Sequence, residues 1–386
     1  MVDVLISVGV IAGSSLAILL GRQGLAVELF ERGQFPKEKP CGEGLMPGGV
    51  AVLDRLGLSE AVGGVPFYGV RYHFGDRTAE GRFPNIPGFP TSGYGQRRKH
   101  LDHVLFQAAA DTPGVTVHSG VQVDDPLLEN KRVVGLSVAG EPRRARLVVA
   151  ADGLHSRIRR QLGLEMPVSR KRLGARAHFR LAPDQEQPPW VDVFVRQGHE
   201  LYVTPLPQRE VLVAALADGT ALGDNIDRAF AGWVRSEPTL AARLEGAEQV
   251  TSLLCTSPLS GRARAGVARG VVLLGDAAGF LDPITGGGMT QALMTAELLA
   301  GYTRRGLDTI DDWIGKFDRE RRSMLRDYQR LTRMVLWLAD NFRWTEQFLS
   351  VLRISPALLS HLIGVSAGMS PLFWIGGSRA GRTATS

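Results

Sequence analysis

Residues 270–293, GVVLLGDAAGFLDPITGGGMTQAL, limit the fold more than any other part of this chain. Positions 271–274 are a short run of β-branched and aliphatic residues, as expected of a strand buried on both faces. The run ends in Gly275-Asp276, and a second turn over 283–288 leads into a helical pattern that begins near Gly288. An acid at a strand end followed by a glycine-rich helix entry suits a ligand rich in hydroxyls and partly anionic. The Asp276 carboxylate can accept hydrogen bonds from sugar-like hydroxyls. The helix N-terminus offers unpaired N–H groups and a positive dipole end to an electron-rich atom. An ordinary βα-turn of an α/β protein satisfies the same pattern, so the rest of the chain must decide.

The N-terminal residues read as strand (4–7), helix (14–23) and strand (25–30), the βαβ opening of a dinucleotide site. The second strand ends in Glu31-Arg32, and Glu31 is the candidate for the ribose hydroxyls, with Arg32 beside it. The glycine fingerprint is damaged. The register that puts its third glycine at Gly13 puts Val8 and Val10 where the first two belong. A Val side chain at position 10 should crowd a pyrophosphate. Three explanations stay open: a loop rerouted through Gly9, an altered sequence, or loss of tight cofactor binding.

Two longer motifs carry a family resemblance. GDAAGFLDPITGGGMTQAL resembles the second flavin motif of the FAD-dependent hydroxylase superfamily, which includes monooxygenases of the p-hydroxybenzoate hydroxylase type and C=C reductases of the geranylgeranyl reductase type. Residues 152–159, DGLHSRIR, are similar to that superfamily's D-G-x-x-S-x-x-R motif. The resemblance implies that Asp276 holds the ribityl chain of FAD and that the turn Gly286, Gly287, Gly288, Met289 lies beside the flavin's pyrimidine edge. Backbone N–H groups there would stabilise the negative charge of reduced flavin. It further implies that the loop at Asp152 and Gly153 reaches FAD and the route of NAD(P)H. Arg98, opening an R-x-x-L-D pattern, would contact FAD, with Arg97 and Lys99 as competing choices. The spacing P-x-x-K-x-C-G over 36–42 is similar to a segment of the reductase branch that crosses near the flavin. Cys41 is therefore either an active-site thiol or a small cysteine buried in a tight loop.

Between these motifs the pattern is antiparallel. Short alternating runs over 65–89, and longer ones near 175–181, 191–196, 200–205 and 210–216, predict a second sheet as the roof of a substrate pocket. His178, Arg180, Phe194 and Tyr202 on that sheet, with Pro283 at the flavin turn, are the candidate pocket residues. No H-x-H, H-E-x-x-H or C-x-x-C spacing occurs, so no metal is expected. Beyond Gly288 the chain reads as helical to about 363. Trp337, Phe342, Trp344, Phe348 and Leu352 form a stripe expected to pack on the FAD domain. A membrane-surface contact by that stripe is the less favoured reading. Residues 376–386 read as a disordered tail.

Composition adds bounds. With 386 residues about two domains are expected. The net charge of +6 is spread along the chain without interleaved aromatics, which argues against a nucleic-acid groove. Only Cys41 and Cys255 occur, which suits a reducing cytosol rather than a disulfide framework. The apolar start at 4–20 has Asp3 and no basic residue before it, so a strand–turn–helix is expected there rather than a signal peptide, and a cytoplasmic location follows. The sequence assigns no oligomeric state.

The expected fold is α/β. A discontinuous Rossmann-like FAD-binding domain (1–65, 96–165, 262–330) carries an inserted antiparallel β-sheet substrate domain (66–95, 166–261), and a helical C-terminal region with a tail (331–386) follows. The expected activity is an FAD-dependent, NAD(P)H-consuming oxidoreductase, first a monooxygenase that hydroxylates an aromatic or polyketide-like small molecule through a flavin C4a-hydroperoxide. A C=C reductase of the geranylgeranyl reductase type is the alternative, and a non-catalytic flavin- or substrate-binding protein is the reading from another class.

Overall fold

The computed structural model describes residues 2–168, 172–219 and 225–373. The expected tail at 376–386 lies outside the described residues. Strand Val2–Ser7 is central to a parallel sheet, with Val27–Glu31 and then Val115–Ser119 on one side, and Glu141–Ala150 and then Val271–Leu273 on the other. Strand alternation divides its side chains between two covers. Val4, Ile6, Leu147, Val149 and Val272 face helices Ile11–Gly21, Arg98–Ala110 and Gly288–Thr303. Leu5, Val148, Ala150, Val271 and Leu273 face the other way, toward Val133, Leu136 and Val138. Burial on both faces explains the unbroken apolar runs in the sequence.

The second sheet runs Glu248–Gln249, Arg172–Arg180, Glu210–Asp218, His199–Leu206, Val191–Arg196, Gly69–Phe74, Arg77–Arg82. Among the described residues only Gly69–Phe74 and Val191–Arg196 pair parallel in it, which joins the early excursion of the chain to the later meander. One face packs on helices Ile226–Arg235 and Pro238–Arg243 through Phe230 and Leu240. The opposite face meets the C-terminal helices.

Those helices are Ile310–Asp340, Phe342–Ile354 and Pro356–Ser366. The long helix begins on the cofactor-side core, with Ile310, Trp313, Ile314 and Phe317 buried there. Its far end reaches Ile284 and Leu216. The expectation that the aromatic stripe packs on the FAD domain is corrected. Phe342, Phe348 and Leu352 pack instead against the second sheet, whereas Trp337 and Trp344 are exposed by 52% and 54%. A helical-period pattern gives a buried face but not the identity of the surface that buries it.

Candidate flavin and substrate site

The first βα loop keeps the path that the glycine fingerprint would take. Val8 stands at φ 74, in the left-handed region that a β-branched residue adopts only under strain. Gly9 has no left-handed φ, and a Cβ there would come within 2.7 Å of the Phe106 ring. Rerouting through Gly9 is thereby overturned: Val8 occupies the first-glycine conformation itself. Val10 is the extended, half-buried residue before helix Ile11–Gly21, at the N-terminus where phosphate would sit. Gly13 fits its expected place, since a Cβ would approach the Val8 carbonyl oxygen to 2.2 Å.

Buried polar atoms around this loop have partners to gain. Glu31 is 1% exposed; its Oε1 accepts the Gly33 N–H at 2.8 Å and pairs with Lys37, while Oε2 has no partner. The hydroxyls of Ser14 and Ser15 and the Asp152 Oδ1 are likewise unpartnered. Asp152 Oδ2 accepts the Ile158 N–H at 3.2 Å, Gly153 turns at φ 77, and Ser156 caps the next helix by accepting the Arg159 N–H at 3.0 Å. Burial raises the pKa of Asp276, against the pull of Arg98, Lys39 and Arg159. This constellation of free acceptors and converging cations fits a hydroxyl-rich, anionic cofactor such as FAD, and Val8 and Val10 are its misfit.

Arg98 is held by Asp102 through two hydrogen bonds of 3.1 and 2.9 Å. Arg32, by contrast, is exposed. Lys39, which sequence reasoning passed over, is pushed down to about 8 by burial and by the Arg98 charge. Cys41 is half-buried, and its Sγ accepts the Glu43 N–H at 3.4 Å. Glu43 itself is fully buried at φ 56. It takes the Arg98 N–H at 2.9 Å on one oxygen and meets His178 Nε2 at 2.7 Å on the other.

The flavin turn is clamped from the second sheet. Asp282 accepts the Ile284 N–H at 3.0 Å and the Arg172 Nη1 at 2.9 Å, and Arg172 also pairs with Glu200. Tyr202 donates its hydroxyl to the Ile284 carbonyl at 3.0 Å. Pro283 opens the turn, Gly286 closes it at φ 69, and helix Gly288–Thr303 follows with Met289 buried. Gly287 has no room for a side chain: a Cβ would meet the Tyr328 ring at 2.3 Å. Asp before Pro was the sequence signal for this clamp; Arg172 and Glu200 gave none.

Beyond the turn lies an apolar cavity of about 90 Å³. Val193 pairs laterally with Tyr202 on one side and Tyr72 on the other, so all three share the face that lines it. Ile284, Thr285, Leu331, Leu338, Leu349 and Leu352 complete the lining. Burial pushes Glu200, at the polar edge, up to about 7 against Arg172.

Tyr202 therefore lines the cavity as expected, and the four other candidates do not; Pro283 opens the turn, but its neighbours Ile284 and Thr285 form the lining. Phe194 sits one residue out of phase with Val193 and Val195 and packs on the far face, stacked on His73. His178 is fully buried and spent on Glu43, Thr251 and Arg176. Arg180 lies at the exposed rim, paired with Glu210 and Glu248. Glu38, Glu43 and His178 come close enough for a cation, but the Arg176 guanidinium already bonds to Glu38 and His178.

Residues 1–301 match the family described as FAD binding domain. The chain belongs to that family. Similar members of the FAD-binding family include the menaquinone reductase of Mycobacterium tuberculosis, 28% identical over 75% of this chain and 73% of that protein. The squalene monooxygenase of Mus musculus is 30% identical over 78% of this chain and 54% of its own length. A flavoprotein/dehydrogenase from Cytophaga hutchinsonii has the same fold, with a TM-score of 0.82 at 21% identity over 95% of this chain and 93% of that one. This FAD-binding protein is thus an FAD-dependent oxidoreductase of a family that holds both monooxygenases and reductases.

Proposed function

We propose that this oxidoreductase inserts oxygen into an apolar small molecule, aromatic or polyketide-like, with NAD(P)H as reductant. The observation that carries the reading is the position of the cavity: its lining is almost wholly hydrocarbon, and one wall is the turn that opens the flavin helix. A bound flavin supplies electron transfer and oxygen activation. Glu31 and Asp276 bind the cofactor's hydroxyls, and the N–H groups that open helix Gly288–Thr303 face developing negative charge. The leucine walls exclude water from the reacting face. Glu200, its pKa lifted by burial against the pull of Arg172, stands at the edge of the cavity as a titratable group near the substrate. The names of the menaquinone and squalene relatives support an apolar substrate.

One observation favours a second reading, reduction of a C=C bond. Cys41 lies beside the Arg98 guanidinium on the loop that approaches the cofactor cradle. Steady-state assays with NAD(P)H and apolar phenols or polyenes separate the two. Oxygenation requires that NAD(P)H consumption depend on both O2 and the added substrate, and that product gain one oxygen. Saturation of an olefin without O2 would overturn it. Leu338→Trp, which fills the cavity, should raise KM by roughly tenfold or more while leaving bound FAD absorbance intact.

A further inference from the structure

We propose that the C-terminal helix pair is a docking face for an anionic phospholipid surface, from which the apolar cavity is loaded. The loading clause rests on the proposed function, whereas the docking itself does not. Helix Phe342–Ile354 has two apolar faces. Phe348, Leu349 and Leu352 point into the cavity. Trp344, Val351 and Ile354 point out, at spacings of seven and three residues that place them on one side of a helix. They are exposed by 54%, 47% and 76%. Leu358, at the start of helix Pro356–Ser366, is also exposed, by 38%, and Trp337 on the preceding helix by 52%. These helices are only one layer thick between cavity and exterior.

Charge selects the occupant. Residues 341–373 contain Arg343, Glu346 and Arg353 as their only formally charged side chains. Both arginines are exposed, and neither forms an ion pair among the described residues. Exposed tryptophans with arginine beside an apolar helical face match an interfacial segment on anionic headgroups. A second copy of the chain would bring the same arginines into one seam with a single glutamate each to meet them, a poor electrostatic match. Among the described residues no single helix is long and apolar enough to cross a membrane, and the pair is bent by 110° at its break. Phe348, Leu349 and Leu352 of the pair face the cavity, which suits a layer resting on a surface.

The test uses the full-length, FAD-loaded protein and two vesicle preparations, phosphatidylcholine alone and phosphatidylcholine mixed with phosphatidylglycerol. Co-sedimentation and a blue shift of tryptophan emission are expected with the mixed vesicles, on the order of tenfold tighter than with phosphatidylcholine. Trp344→Ser with Ile354→Ser should abolish sedimentation, and Arg343→Gln with Arg353→Gln should remove the preference for phosphatidylglycerol. Unchanged flavin absorbance and melting temperature certify that each variant is folded. The proposal is overturned if the parent sediments with neither preparation or if the variants sediment as it does. Light scattering that finds a dimer which Trp344→Ser with Ile354→Ser dissociates without vesicles would also overturn it, in favour of a second copy. Vesicle binding is read without substrate, so a failure of oxygenation activity leaves this result standing or falling by itself.

Discussion

Val8 shows what one side chain costs in a loop built for glycine. Its φ of 74 is open to glycine freely, whereas a Cβ there costs roughly 1–2 kcal/mol. Val10 adds bulk where phosphate is expected. Replacing both by glycine should tighten FAD binding, read by flavin fluorescence titration, and the Val8→Gly change alone should not lower the melting temperature. Equal or weaker affinity in the double variant would refute the steric account. Glu200 makes the other residue-scale prediction. Burial lifts its pKa from 4.5 to about 7, so the folded chain holds that proton more tightly than the unfolded chain. Its contribution to stability is complete below about 4.5 and lost as pH rises through about 7. Thermal melts of Glu200→Gln across that window should show the variant gaining on the parent as pH rises; parallel curves would refute it. Glu31, Gly13, Asp152 and Asp276 were legible because motif spacing fixes the backbone that carries them. Lys39, Glu43 and Glu200 were not, since their surroundings come from other elements: Arg98 beside Lys39, His178 beside Glu43, and Arg172 with Asp282 beside Glu200.

At the scale of elements, the turn Pro283–Thr285 is a shared part. It is capped by Asp282, held by Tyr202 from the second sheet, and tied to the long helix by the Thr285–Thr332 hydroxyl contact of 2.9 Å. Asp282→Ala removes the cap and leaves the buried Arg172 one carboxylate short. A loss of roughly 3 kcal/mol in denaturant unfolding is expected, together with weaker FAD binding. If stability falls without a change in FAD affinity, the clamp does not position the cofactor end. Strand and helix positions were largely readable from periodicity: the pattern for 191–196 and 210–216 matches observed strands Val191–Arg196 and Glu210–Asp218. Which face each strand turns to the pocket was not, because both faces of this sheet are buried and apolar alternation disappears. Phe194 was placed on the wrong side for that reason, and the aromatic stripe of the last helices was assigned to the wrong partner.

For the molecule as a whole, the two sheets are stitched together by chain order. The cofactor sheet takes strands Val2–Ser7, Val27–Glu31, Val115–Ser119 and Glu141–Ala150 before the second sheet is finished, and its edge at Val148–Ala150 is covered only by Val271–Leu273. On the ribosome, then, the meander over 172–218 emerges while the neighbouring sheet still waits for its last parallel neighbour. No single cut of the polypeptide can release a self-sufficient nucleotide-binding fragment, since any truncation short of 273 leaves that rim without its strand and without the acid at 276 that follows it.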